Sequence, residues 1–163
     1  MPKTVYFITS QELEDLYPDL SPKDREELIT REKKAVFIIG IGDKLKSGEV
    51  HDLRSPDYDD WSLDGDLMIY SKALDKAVEF SSMGIRVDED ALVAQLEKSC
   101  SMDKLSMPYH QKIVKKELPY TIGGGIGQSR ICMLLLEKTH IVEVQQSSWS
   151  DEVEADLSDL MIL

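Results

Sequence analysis

GDLMIYSKALDKAVEFSSMGIR, residues 65–86, carries two apolar stretches joined by a short polar link. Leu67–Tyr70 (LMIY) and Ala77–Met83 (AVEFSSM) have the β-branched and aromatic content of strands. Strands this close in sequence form a hairpin, and a hairpin pairs antiparallel. The neighbouring segments read largely as helices. Together they predict an α+β fold, an antiparallel sheet flanked by helices, in one domain spanning residues 1–163.

Working outward, Lys3–Thr9 (KTVYFIT) reads as a strand. Ser10 is placed to cap a short helix over Gln11–Leu16 that stops before Pro18. Ser21 followed by Pro22 starts a second helix through DREELITREKK. Ala35–Ile39 (AVFII) reads as a buried strand. Asp88 caps a helix over Glu89–Lys98, and Pro108–Glu117 reads as another. The glycine segment TIGGGIG is followed by a helix over Gly127–Lys138, and Ile141–Gln145 reads as a last strand. No internal repeat or low-complexity linker interrupts the chain.

The net charge of −12, from 31 acidic and 19 basic residues, excludes a broad nucleic-acid surface, which needs clustered Lys and Arg. Five of the acids, Asp151, Glu152, Glu154, Asp156 and Asp159, crowd one C-terminal segment that reads as a solvated amphipathic end. No apolar run reaches the ~20 residues of a membrane helix, and MPKTVYFITS lacks signal-peptide character. Cys100 and Cys132 have no metal-ligand spacing. The expectation is a cytoplasmic protein with free thiols, no membrane partner and no nucleic-acid partner.

Three stretches carry chemistry. HDLRSPDYDDWS, residues 51–62, crowds Asp52, Asp57, Asp59 and Asp60 around Arg54, Tyr58 and Trp61. It reads either as a polar loop of turn-capping aspartates or as a site whose carboxylates need a cation. In AVEFSSMGIR, simple alternation puts Glu79 and Ser81 on one face and Phe80 and Ser82 on the other. Asp66 opens the neighbouring strand. Asp66 and Glu79 side by side make either a wet sheet edge or a Mg²⁺ site that shares its oxygens with phosphate. In TIGGGIGQSRICMLLL, Gly123, Gly124, Gly125 and Gly127 match neither the phosphate-loop pattern nor a dinucleotide fingerprint. They serve either tight helix–sheet packing or close approach of a flat ligand to bare backbone. Arg130 falls in the first turn of the next helix, where its planar fork suits a carboxylate or phosphate.

HDLRSPDYDDWS, EFSSMGIRVD and LPYTIGGGIGQSRICMLLL, in that order, closely resemble the ammonia-dependent asparagine synthetases, the aspartate–ammonia ligases. FITSQELEDLYPDLSPKDRE and AVFIIGIGDKL extend the resemblance over Tyr6–Trp149. It implies the fold of class II aminoacyl-tRNA synthetases and a homodimer. It also implies a reaction in which ATP and Mg²⁺ activate aspartate as β-aspartyl-AMP, and ammonia then gives asparagine, AMP and pyrophosphate. Carried over by motif, Arg130 and Arg86 are the expected catalytic arginines. Gly124, Gly125 and Gly127 floor the adenosine pocket. Asp66 and Glu79 stand near the nucleotide and its metal, and Ser81 and Ser82 line the substrate pocket. Asp59, with Arg54, belongs to the loop whose carboxylate holds the substrate's α-ammonium. The resemblance covers about the second half of the family's chain, and here Ser62 is followed almost at once by LDGDL, where the family has a longer connection. The family's first half carries the dimer-forming motif and a second phosphate-gripping arginine. Activity is therefore expected to need that half in trans. The alternative is a half-domain that only binds nucleotide, amino acid or a partner.

Overall fold

The computed structural model describes residues 2–145 and 147–150, so the acidic cluster at 151–159 lies outside the described residues. The elements run β1 (Tyr6–Thr9), α1 (Ser10–Leu16), α2 (Pro22–Lys33), β2 (Ala35–Ile39), β3 (Asp59–Ser71), β4 (Lys76–Arg86), α3 (Glu89–Lys98), α4 (Pro108–Val114), β5 (Ile122–Ile126) and α5 (Gln128–Leu135). Two short 3₁₀ turns, Met102–Ser106 and Ile141–Glu143, complete the described chain. The five strands form one sheet in chain order. Pairings from β2 to β5 are antiparallel, but β1 and β2 are parallel, because α1 and α2 carry the chain back over one face between them.

The hairpin is longer than its apolar content suggests. Asp59–Ser62, read as part of a polar loop, already belongs to β3 and opens the ladder opposite Arg86. The register also contains a bulge: Leu67 faces Ser81 and Met68 faces Glu79, so Phe80 has no partner. Residues paired across a ladder share a face. Glu79 therefore lies on the face of Met68, Asp66 and Ser82, while Ser81 joins Leu67 on the other. This overturns simple alternation, which put Glu79 with Ser81. The extra residue lets Phe80 and Ser81 both turn inward, at 3% and 4% exposure.

Three apolar clusters hold the sheet. On the face over β1–β3, Ile8, Val36, Ile38 and Met68 pack against Leu13 of α1 and Ile29 of α2. On the opposite face Ala35, Ile69 and Phe80 meet Ile131 and Leu134 of α5. Val87, Leu92, Leu96 and Ile113 join α3 and α4. Among the described residues the rest of that opposite face is bare: Phe7, Leu63, Met83, Ile85, Ile122 and Ile126 are exposed, and several of them line a groove of about 450 Å³.

Local chemistry explains where the ends fall. Thr9, not Ser10, caps α1: its hydroxyl accepts from the Glu12 N–H at 3.1 Å, and Glu12 Oε2 accepts from the Thr9 N–H at 2.8 Å. Ser10 donates instead to the Gly40 carbonyl. Ser21 and Asp88 cap α2 and α3 as the sequence predicts. The glycine segment forms the strand β5, paired antiparallel with β4. Ile141–Gln145, read as a strand, is a 3₁₀ turn in its first three residues. His140 Nδ1 accepts from the Val142 N–H at 3.3 Å, and Glu143 Oε2 accepts from the Thr139 and His140 N–H groups at 2.9 and 3.0 Å. These local caps win over the β-branched content of the segment.

Candidate active site

The face covered by α1 and α2 over β1–β3 opens over β4 and β5. The ladder there aligns Asp66, Ser82 and Gly125 in one row and Asp64, Gly84 and Gly123 in the next. Asp59 stands opposite Arg86. Three arginines reach this region from three parts of the chain, and each meets one of the expected carboxylates.

Arg54 comes from the connection between β2 and β3. It pairs with Asp66 and stands 3.9 Å from Asp64 and 3.5 Å from Asp52. The connection is pinned on both sides of it. His51 Nε2 meets Glu26 Oε1 of α2 at 3.0 Å, while Asp57 Oδ2 meets His110 Nε2 and Lys104 Nζ at 3.0 and 3.1 Å. Burial of the Asp57 carboxyl is outweighed by the Ser55 hydroxyl, His110 and Lys104, which together hold it well below the usual carboxylate range.

Arg86 pairs with Asp59, donates from Nη2 to the Tyr58 hydroxyl at 3.0 Å, and lies 3.8 Å from the centre of the Tyr58 ring. Its guanidinium rests on Gly123, where any Cβ would overlap it. Gly84 is required in the same way, since a Cβ there would stand 2.9 Å from the Asp59 carboxyl carbon. Arg130 lies in the first turn of α5. The β4–β5 pairing ends at Ser81, and just past that end Arg130 donates to the Glu79 carbonyl at 2.6 Å and stands 3.5 Å from Glu79 Oε1.

The structure thus brings Arg54, Asp59, Asp66, Glu79, Ser82, Arg86 and Gly125 to one side of the sheet. It does not bring Ser81 or Gly124 there. Ser81 is buried among the apolar groove residues of the other face, and a Cβ on Gly124 would meet Met83 there at 2.6 Å. Gly127 caps α5 against the stem of Arg130. Among the described residues nothing lies within 4 Å of a Cβ position on Gly125, so its surface is open to a flat ligand. Asp66 and Glu79 are diagonal neighbours through Met68, about 7–8 Å apart across the ladder. Among the described residues no three His, Cys, Asp or Glu side chains converge as a metal cluster. One buried oxygen of Asp66, Oδ1, nevertheless has no hydrogen-bond partner.

The sequence reading passed over Asp64, though LDGDL was in view. It is 3% exposed, and its Oδ1 accepts from the Ile41 N–H at 2.8 Å. Burial pushes its carboxyl up to about 7. The Ile41 N–H and Arg54 oppose the shift, and Asp66 and Asp59 add to it. A site of this kind can grip two anionic groups at once, because each guanidinium offers a planar pair of donors already held in place by a carboxylate.

Known proteins share both the sequence and the fold. A family model described as aspartate-ammonia ligase matches residues 1–160. The aspartate–ammonia ligase of Ruminiclostridium cellulolyticum is 59% identical over 158 residues, covering 97% of this chain and 47% of the relative. That of Mycoplasmoides gallisepticum is 53% identical over 165 residues, covering all of this chain and 50% of the relative. The chain therefore spans about half the length of the curated relatives it matches. Among solved structures, the aspartyl-tRNA synthetase of Entamoeba histolytica superposes with a TM-score of 0.55 at 18% identity, over 88% of this chain and 31% of that one. The asparaginyl-tRNA synthetase of Pyrococcus horikoshii, complexed with asparaginyl-adenylate, gives 0.51 at 16% identity, over 86% and 33%. At such identities the likeness is one of fold, and it makes the mixed sheet with its flanking helices class II synthetase-like. A family model running through nearly the whole chain, with relatives more than half identical along it, leaves one assignment: the chain belongs to the aspartate–ammonia ligase family.

Proposed function

We propose that the chain provides one half of an adenylate-forming site for asparagine synthesis, amidating aspartate with ammonia at the expense of ATP. The observation that carries this reading is the two arginine–carboxylate pairs on one side of the sheet, Arg54–Asp66 and Arg86–Asp59, beside the open backbone at Gly125 and with Arg130 reaching Glu79 past the end of β5. In the first step a β-carboxylate oxygen of aspartate attacks the α-phosphorus of ATP and pyrophosphate leaves. In the second, ammonia attacks the acyl carbon, the bond to AMP breaks, and the surplus ammonium proton is released. Arg130 and Arg86 meet the phosphate and carboxylate charge that develops, acting by position and electrostatics. Asp59 holds the α-ammonium of aspartate, with Arg54 and Ser82 lining the pocket. The adenine and ribose lie over Gly125. Mg²⁺ fits the donor set of Asp66 and Glu79, hard oxygens that include the unpartnered Asp66 Oδ1, and when bound would supply charge to the pyrophosphate.

The protein is placed in the cytoplasm, consistent with its two exposed free thiols, Cys100 and Cys132. Among the described residues no helix is long and apolar enough to cross a membrane. The bare sheet face and the half-length match both support working as a homodimer or with the part of the relatives that this chain does not span. A second reading rests on the same half-length match: a module that binds nucleotide or aspartate without turnover.

The test is pyrophosphate release from ATP, Mg²⁺ and aspartate, with and without ammonia, by the chain alone and mixed with a polypeptide equivalent to the half of the relatives that this chain does not span. Release that depends on aspartate supports the ligase reading. Binding of ATP or aspartate without release in either mixture supports the binding module and refutes the ligase.

A further inference from the structure

We infer that Gln95 is the positioning residue of the Asp59–Arg86 pair. Its side chain is 5% exposed and uses every hydrogen-bonding atom on one short segment. Oε1 accepts from the Trp61 N–H at 2.8 Å, while Nε2 donates to the Pro56 carbonyl at 3.0 Å and to the Asp59 carbonyl at 3.1 Å. The β-ladder cannot do this work. β3 and β4 pair at Asp59 and Arg86 and not again until Asp64 and Gly84, so four residues of β3 stand against one of β4. At the start of that gap the amide of Gln95 partners the Asp59 carbonyl and the Trp61 N–H, and it also holds the Pro56 carbonyl just ahead of the strand.

The support behind Gln95 is rigid. It lies in α3 between Leu92 and Leu96, both fully buried, and the helix is capped by Asp88, whose carboxylate accepts from the Asp90 and Ala91 N–H groups at 3.0 and 2.8 Å. The segment it holds has no slack either. The Val87 N–H donates to the Tyr58 carbonyl at 3.0 Å, and Trp61 packs against Gly42, where a Cβ would lie 2.5 Å from its ring. α3 therefore sets where Asp59 and Tyr58 stand, and these two groups set where Arg86 points. That this placement serves the α-ammonium of aspartate rests on the ligase reading; the positioning itself does not.

The test uses the full chain and two variants. Gln95→Glu keeps the acceptor for Trp61 but turns a carboxyl oxygen towards two carbonyls. Gln95→Met keeps the volume and removes every polar atom. The readout is the set of arginine Nε–Hε signals in ¹⁵N–¹H spectra, with Arg86 assigned from an Arg86→Lys spectrum. It is taken beside hydrogen-exchange protection of α3 and calorimetric titrations with aspartate and with ATP. Both variants are expected to move or broaden the Arg86 signal, leave those of Arg54 and Arg130 in place, and keep α3 protected. Aspartate affinity should fall about tenfold, the cost of misplacing one charged hydrogen bond, with ATP affinity unchanged. An unmoved Arg86 signal overturns the inference. So does joint loss of all three arginine signals with α3 protection, which would mean a merely structural role. A selective Arg86 change in a parent that binds no aspartate, alone or mixed with the half of the relatives that this chain does not span, upholds the positioning and refutes the ligase reading instead.

Discussion

Replacing Asp64 by Asn should stabilise the protein, and by an amount that grows with pH. The folded carboxyl titrates at about 7, while in an unfolded chain it titrates near 3.9. Burial favours its neutral form, so the cost of ionising it is absent below about pH 4, grows between pH 4 and 7, and is constant above. Each tenfold step in proton affinity is worth about 1.4 kcal/mol. The full penalty at pH 8 is therefore about 4 kcal/mol, of which about 1.5 is already present at pH 5. Asn is isosteric, keeps an acceptor for the Ile41 N–H, and carries no charge to desolvate. Urea denaturation at pH 5 and pH 8 should show a gain of about 1 kcal/mol at the lower pH and about 2–4 kcal/mol at the higher. A pH-independent gain would show that the folded carboxyl titrates as it does in the unfolded chain, a loss at pH 8 would show that it is ionised and held usefully by Arg54, and either result would refute the reasoning.

Gly123→Ala should leave urea stability within about 1 kcal/mol, because the backbone there accepts a Cβ and only the end of Arg86 must move. The same variant should weaken aspartate binding in calorimetry; unchanged affinity would show that Arg86 does not serve the site from its place on Gly123. Gly42→Ala combines a φ of +117° with a Cβ pressed into Trp61, and should cost about 2–4 kcal/mol by urea denaturation. A cost under about 1 kcal/mol would mean that Trp61 is free to shift. Arg130→Lys should keep the melting temperature, since the side chain is half exposed, yet lower aspartate-dependent pyrophosphate release at least about tenfold. Full activity in the Lys variant would remove the need for a planar fork.

Much of the fold was legible because its signals are local. Ala35–Ile39 and Glu89–Lys98 fall where their apolar run and Asp88 cap place them. The bulge at Phe80 was not legible, because it is fixed by packing on α5 across the sheet, and a single extra residue was enough to exchange the faces of Ser81 and Ser82. The parallel β1–β2 pair depends on a crossover, which a strand pattern does not carry. At the site, the residue types were visible but not their pairing. Arg54 reaches Asp66 as well as its near neighbour Asp52 because the connection is pinned by His51 and Asp57, both bound to helices distant in sequence. Gln95 had no signal beyond a polar residue on the buried side of a helix, between Leu92 and Leu96.

The bare face of the sheet makes the stability of this chain a function of its company. Any polypeptide that covers Phe7, Leu63, Ile122 and Ile126 in the folded state, and has no affinity for the unfolded one, stabilises the fold by mass action: about 2.7 kcal/mol at a hundred times its dissociation constant. A melting curve of the chain is thus also a binding isotherm. Its midpoint should climb with the concentration of the right companion and ignore the wrong one, so the companion can be sought by heat alone, before any substrate is added.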